Sequence, residues 1–181
     1  VALAEIGDKT QLLAFLLAAK FRRPLPIVLA ILVATIANHA FAAAIGTWIT
    51  SLLGPEVLRW VLGVSFLLMA GWTLIPDKLD EEDTKLAKYG VFMTTLIAFF
   101  LAEMGDKTQV ATVALAAQFH SFVWVVAGTT FGMMLANAPA VYFGDKIANR
   151  MPVKLVHRIA AVIFAVLGIA TLLGAGARFG M

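Results

Sequence analysis

The stretch Ala4-Glu5-Ile6-Gly7-Asp8-Lys9-Thr10-Gln11 recurs as Ala102-Glu103-Met104-Gly105-Asp106-Lys107-Thr108-Gln109, with only Ile and Met exchanged. Each copy sets two carboxylates three residues apart beside a lysine, in surroundings that are otherwise apolar. On a continuous helix, positions i and i+3 share a face. Glu5 would then point the same way as Asp8, and Glu103 as Asp106, with Lys9 and Lys107 in reach at i+4 from the glutamates. Carboxylate oxygens suit hard cations such as Mg2+, Ca2+ and Mn2+. Four acids against two lysines sum to 2 − 4 = −2, a charge that one divalent ion neutralises. Thr10, Gln11, Thr108 and Gln109 follow the acid pairs and can add oxygen ligands or orient the carboxylates. Gly7 and Gly105 permit close helix approach or local unwinding. For a single copy the competing reading is a Glu–Lys ion pair that ties helices together; duplication of the whole motif counts against it. Metal and protons would compete for the same oxygens, which makes proton exchange a natural counter-reaction.

The elements that must carry these residues are membrane helices. Of 181 residues, 61% are hydrophobic, and the mean hydropathy is +0.92, well above that of a soluble domain. After a first apolar run ending at Lys20-Phe21-Arg22-Arg23-Pro24, further runs cover about Ile27 to Ile49, Val57 to Ile75, Tyr89 to Ala117, Phe122 to Ala148 and Val153 to Gly174. The complete runs reach the roughly 20 residues that cross a bilayer. The expectation is therefore an all-α, polytopic membrane protein of six transmembrane helices. A burden of four buried acids within such helices implies a use. The absence of cysteine removes disulfides and thiolate ligands.

The net charge of +3 needs no nucleic acid to explain it, because the basic residues cluster at helix ends. Lys20, Arg22 and Arg23, then Lys78, Lys85 and Lys88, then Lys146, Arg150, Lys154 and Arg158 fall in alternate connections, whereas Thr50 to Pro55 and His120-Ser121 carry no lysine or arginine. The positive-inside rule makes the basic connections cytoplasmic and leaves both termini on the far side.

The motifs are offset by 103 − 5 = 98 residues, and their surroundings follow at the same spacing. Leu17-Ala18-Ala19 meets Leu115-Ala116-Ala117, Phe21 meets Phe119, and Phe66, Thr73 and Leu74 meet Phe164, Thr171 and Leu172. Ala37-Asn38 meets Ala136-Asn137 after a one-residue shift. Such spacing indicates a duplicated three-helix unit. Because three is odd, the second unit enters from the opposite side, giving two inverted three-helix repeats. Residues 1–75 form the first repeat, 76–88 a charged cytoplasmic linker and 89–181 the second repeat. Glu103 is preceded by a hydrophobic half-helix and Glu5 by four residues, so the repeat predicts about ten further residues before Val1.

Asn38 and Asn137 lie in the second helix of each unit and are candidates either to line the site or to make ordinary interhelical hydrogen bonds. His39 has no repeat partner and reads as a packing histidine rather than a proton relay, while His120 and His157, near helix ends, carry no assigned role. Gly144-Asp145-Lys146 echoes the motif with Tyr142 in place of Glu and reads as a solvated helix end. The acids Asp77, Asp80, Glu81, Glu82 and Asp83 lack the pattern of a calcium loop.

Glu-x-Gly-Asp-Lys-Thr, twice, on the first and fourth of six hydrophobic segments with a charged central loop, resembles a membrane family of cation exchangers, uncharacterised protein family 0016. That family includes bacterial manganese exporters and Golgi manganese/calcium transporters that exchange for protons. The resemblance implies that Glu5, Asp8, Glu103 and Asp106 coordinate the transported ion, with Lys9, Thr10, Lys107 and Thr108 as the remaining motif positions. It favours Mn2+ efflux over Ca2+ handling. The expected function is thus a secondary transporter of the inner (plasma) membrane, not an enzyme, that exports Mn2+ in exchange for protons. Its partners would be the metal ion as substrate, protons and the bilayer, with no cofactor and with a homo-oligomer left open. A Ca2+/H+ antiporter, a membrane-embedded metalloenzyme and an exporter of small organic cations are the alternatives.

Overall fold

A computed structural model describes residues 1–75, 90–148 and 153–174. The expected charged linker, together with Arg150, lies outside the described residues. Helices and their connections make up all of the described chain: α1 (Ala2–Glu5), α2 (Lys9–Phe21), α3 (Pro24–Leu52), α4 (Pro55–Thr73), α5 (Gly90–Glu103), α6 (Lys107–Phe119), α7 (Phe122–Ala148) and α8 (Val153–Leu172). Prolines open α3 and α4 at their first positions, where the missing N–H has no helical partner to lose.

By length and composition α3, α4, α7 and α8 are each able to cross a membrane. At 13, 14 and 13 residues, α2, α5 and α6 are each about 20 Å long, short of the roughly 30 Å hydrocarbon core. The motif-bearing runs are therefore not continuous helices. Each breaks at the motif, between Glu5 and Lys9 and between Glu103 and Lys107. The cause is local: Gly7 and Gly105 take φ of 81° and 77°, a left-handed conformation that side chains resist. Asp8 and Asp106 then extend at φ −80° with ψ of 168° and 167° to cap the helices that follow. The shared face expected of an unbroken helix does not exist here. A second matched pair ends α2 and α6, where Arg22 and His120 have φ of 51° and 49°. At an offset of 98 residues the two halves thus repeat in backbone conformation as well as in sequence.

The halves interlock. Helix α3 packs on α5 and α6, α7 packs on α1 and α2, and α4 packs along α8. Small residues permit the close crossings: a Cβ at Gly168 would stand 2.9 Å from the Gly63 carbonyl oxygen, and one at Gly46 would strike the carbonyl of Val113. Leu13, Leu17, Ile27, Ile31, Phe99 and Met133 fill one core, and Leu58, Phe66, Met69 and Phe164 fill another between α4 and α8. Large apolar side chains also cover the outside, including Leu25, Leu29, Val33 and Ile36 at helical spacing along α3, whereas the four motif acids are buried. Apolar outside with small and polar residues inside is the arrangement suited to lipid.

Candidate cation site

The two helix breaks meet in the interior. Glu5 closes α1 and Glu103 closes α5, while Asp8 and Asp106 stand at the N-termini of α2 and α6. All four acids are buried, as are Thr10, Thr108, Gln11 and Lys107. One oxygen each from Glu5, Glu103 and Asp106 lies within 4.8 Å of the others. Opposite ligands of a Ca2+-sized ion stand about 4.6–5.2 Å apart, so the three can grip one ion.

The lysines do not serve their own motifs. Lys9 Nζ lies 3.4 Å from Asp106 Oδ1, and Lys107 Nζ lies 3.4 Å from Asp8 Oδ2. Each motif therefore lends its lysine to the aspartate of the other. Because the chain turns at the glycine, the lysine at i+4 is carried away from its own glutamate and across to the facing loop.

Hydrogen bonds shape both loops alike. Gln11 Oε1 accepts from the Gly7 amide at 2.8 Å, and Gln109 Oε1 accepts from the Gly105 amide at 2.7 Å. Thr10 Oγ1 donates to Glu5 Oε2 at 2.6 Å, and Thr108 Oγ1 makes the same bond to Glu103 at 3.4 Å. The other carboxylate oxygen of each glutamate, Oε1, is buried without a hydrogen-bond partner. Gln11 Nε2 also donates to the Ala136 carbonyl in α7 at 2.9 Å.

Asn38 and Asn137 are both fully buried. Asn38 Nδ2 donates to the Phe100 carbonyl at 3.1 Å, tying α3 to α5 just before Glu103, and its Oδ1 meets Gln109 Nε2 at 3.5 Å. Asn137 turns Nδ2 back onto the Met133 carbonyl at 3.1 Å and leaves Oδ1 unpartnered.

Two histidines differ from their sequence reading. His39 is not packed with its nitrogens satisfied: both lack hydrogen-bond partners, and Nε2 lies 3.6 Å from Glu103 Oε2. His157 is no bland helix end, since its Nε2 meets the Ile6 carbonyl at 2.6 Å, inside the first helix break. The signal for His157 was available, because an offset of 98 pairs it with Arg59, a basic residue one turn into the third helix of the first half. Among the described residues the cover is one-sided: a Cβ on Gly7 would strike Val153 at the start of α8, whereas one on Gly105 would meet nothing within 4 Å.

An all-helical membrane protein in which two interrupted helices bring buried carboxylates together is a cation transporter in design. The chain belongs to the family described as divalent cation/proton antiporter GDT1, whose model matches residues 1–81 and 91–178. It is 54% identical over 172 residues to a Vibrio cholerae serotype O1 protein named "Putative manganese exporter", with 94% of this chain and 86% of that protein covered. It is 28% identical to GDT1-like protein 3 of Oryza sativa subsp. indica, over 91% of this chain and 67% of that protein. A GDT1-like protein of Synechocystis is 26% identical, over 91% of this chain and 88% of that protein. No solved structure matches the chain.

Proposed function

We propose that this protein exports Mn2+ from the cytoplasm across the inner (plasma) membrane in exchange for protons, by alternating access around the carboxylates of Glu5, Asp8, Glu103 and Asp106. The observation that carries this reading is the buried trio of Glu5, Glu103 and Asp106, within 4.8 Å of one another and built from two separate helix breaks. Charge supports it. With each aspartate beside a lysine of the other motif, the two glutamates remain, and their sum of −2 is neutralised by one divalent ion or by two protons. A carrier whose site accepts either load can exchange one for the other.

Six spans follow if α1 with α2, and α5 with α6, each cross as one discontinuous helix, and the two halves then form inverted repeats. Helix breaks at mid-membrane suit such carriers, because freed backbone groups there line the ion path and not the lipid. The alternation of basic and uncharged connections supports cytoplasmic ends for α2 and α4 and outer positions for both termini. Manganese as cargo is supported by the name of the Vibrio cholerae relative; Ca2+ is the alternative cargo. The reading is tested in bacteria stripped of their own manganese export and grown in excess Mn2+. Expression of the chain should lower cellular Mn2+, and the Glu103→Gln variant, present at the same level in the membrane, should not. Equal export by the variant would contradict the shared site.

A further inference from the structure

His39 follows Asn38 in α3, and the repeat offers no counterpart, since Ala138 follows Asn137. Its side chain is fully buried, and neither ring nitrogen has a hydrogen-bond partner. Buried imidazoles ordinarily satisfy at least one nitrogen, because stranding a polar atom away from water is costly. What faces this ring is carboxylate: Nε2 lies 3.6 Å from Glu103 Oε2, and Glu103 Oε1 is itself unpartnered.

The separation is informative. A hydrogen bond from nitrogen to oxygen spans about 2.7–3.2 Å, so 3.6 Å is too long for one. Two neighbouring ligands on one ion, each bonded at about 2.1–2.2 Å with an angle near 90–110°, stand roughly 3.0–3.6 Å apart. His39 and Glu103 are thus spaced as adjacent ligands; the His39 nitrogens lie outside the mutual 4.8 Å of Glu5, Glu103 and Asp106, so joining that ion requires the ring to close on it from the Glu103 side. An imidazole is a good ligand for first-row transition metals and a poor one for Ca2+ and Mg2+, which take oxygen.

We propose that His39 Nε2 is a nitrogen ligand to the transported ion, shared with Glu103, and that it sets the preference of the site for a transition metal over Ca2+ and Mg2+. The proposal rests on the cation-site reading of Glu5, Glu103 and Asp106. A carboxylate site supplied only with oxygen gains one nitrogen, and that is a chemical basis for selectivity that the duplicated motif alone lacks.

The test uses the purified full chain with Mn2+ alone as probe, read by electron spin-echo modulation, which detects nitrogen bonded directly to the bound ion. The wild-type protein should show nitrogen coupling. His39→Gln should still bind Mn2+ through the carboxylates but lose that coupling, and its preference for Mn2+ over Ca2+ in competition should fall about tenfold or more. His157→Gln should keep the coupling. Bound Mn2+ without nitrogen coupling in the wild-type protein, coupling that persists in His39→Gln, or an unchanged preference would overturn the proposal. The wild-type spectrum alone decides ligation if His39→Gln fails to fold. Failure of the underlying site looks different: wild-type protein would not bind Mn2+, or Glu103→Gln would bind it undiminished.

Discussion

Lys9 and Lys107 hold equivalent places in the two motifs and reach across to opposite aspartates at the same 3.4 Å, yet their surroundings differ. Lys107 is fully buried, while Lys9 is 24% exposed. Removing one partner of a buried pair costs about 3–5 kcal/mol, because the other charge is left in low dielectric. The aspartates left behind are both buried, Asp8 fully and Asp106 at 2% exposure. Lys107→Met and Lys9→Met should therefore both lower thermal stability in detergent, and an unchanged melting temperature in either would contradict the cross-pairing. The glutamates answer to a different measurement. Glu5→Gln and Glu103→Gln should each weaken Mn2+ binding about tenfold or more, measured by calorimetry on the purified protein. Residue types alone singled out the four acids as candidate cation ligands. The exchange of lysines between motifs was not legible, because helical spacing presumed an unbroken helix, and His39 was not, because its only telling neighbour, Glu103, lies 64 positions away in the chain (103 − 39).

At the scale of elements, the decisive feature is the break that turns two apolar runs into α1–α2 and α5–α6. Positive φ at Gly7 and Gly105 means that alanine at either position carries strain of about 1–3 kcal/mol. Gly7→Ala must in addition displace Val153 of α8, whereas the Cβ of Gly105→Ala enters open space. Gly7→Ala should thus be the more destabilising of the two, as read from paired melting curves; the reverse order would contradict the packing of α8 over the first break. The long apolar runs showed in sequence where α3, α4, α7 and α8 lie, with ends that shifted by two or three residues where Pro24 and Pro55 open helices. The interlocking of α3 with α5 and α6, and of α7 with α2, was not visible there. Periodicity reports that a helix has a buried face, but not which helix buries it.

For the molecule as a whole, the repeated backbone conformations and the one-sided cover belong together. His157 and Val153 of α8 close over the break at Gly7, while among the described residues the break at Gly105 has no matching cover. Like units in unlike positions are what the proposed alternating access would use. The arrangement in the membrane can be tested directly, because the chain contains no cysteine. Ser51→Cys, at the C-terminal end of α3, should react with a membrane-impermeant maleimide added to intact cells, and Arg22→Cys, between α2 and α3, should react only after the membrane is opened. The opposite pattern would contradict the topology proposed from the charge distribution.

The most direct test of the central claim is Mn2+ flux in proteoliposomes of the purified chain under an imposed pH gradient with no Mn2+ gradient. A shared carboxylate site predicts that Mn2+ accumulates on the acidic side, that the flux carries protons the other way, and that Glu103→Gln abolishes both. Mn2+ movement indifferent to the pH gradient, or undiminished in Glu103→Gln, would contradict it.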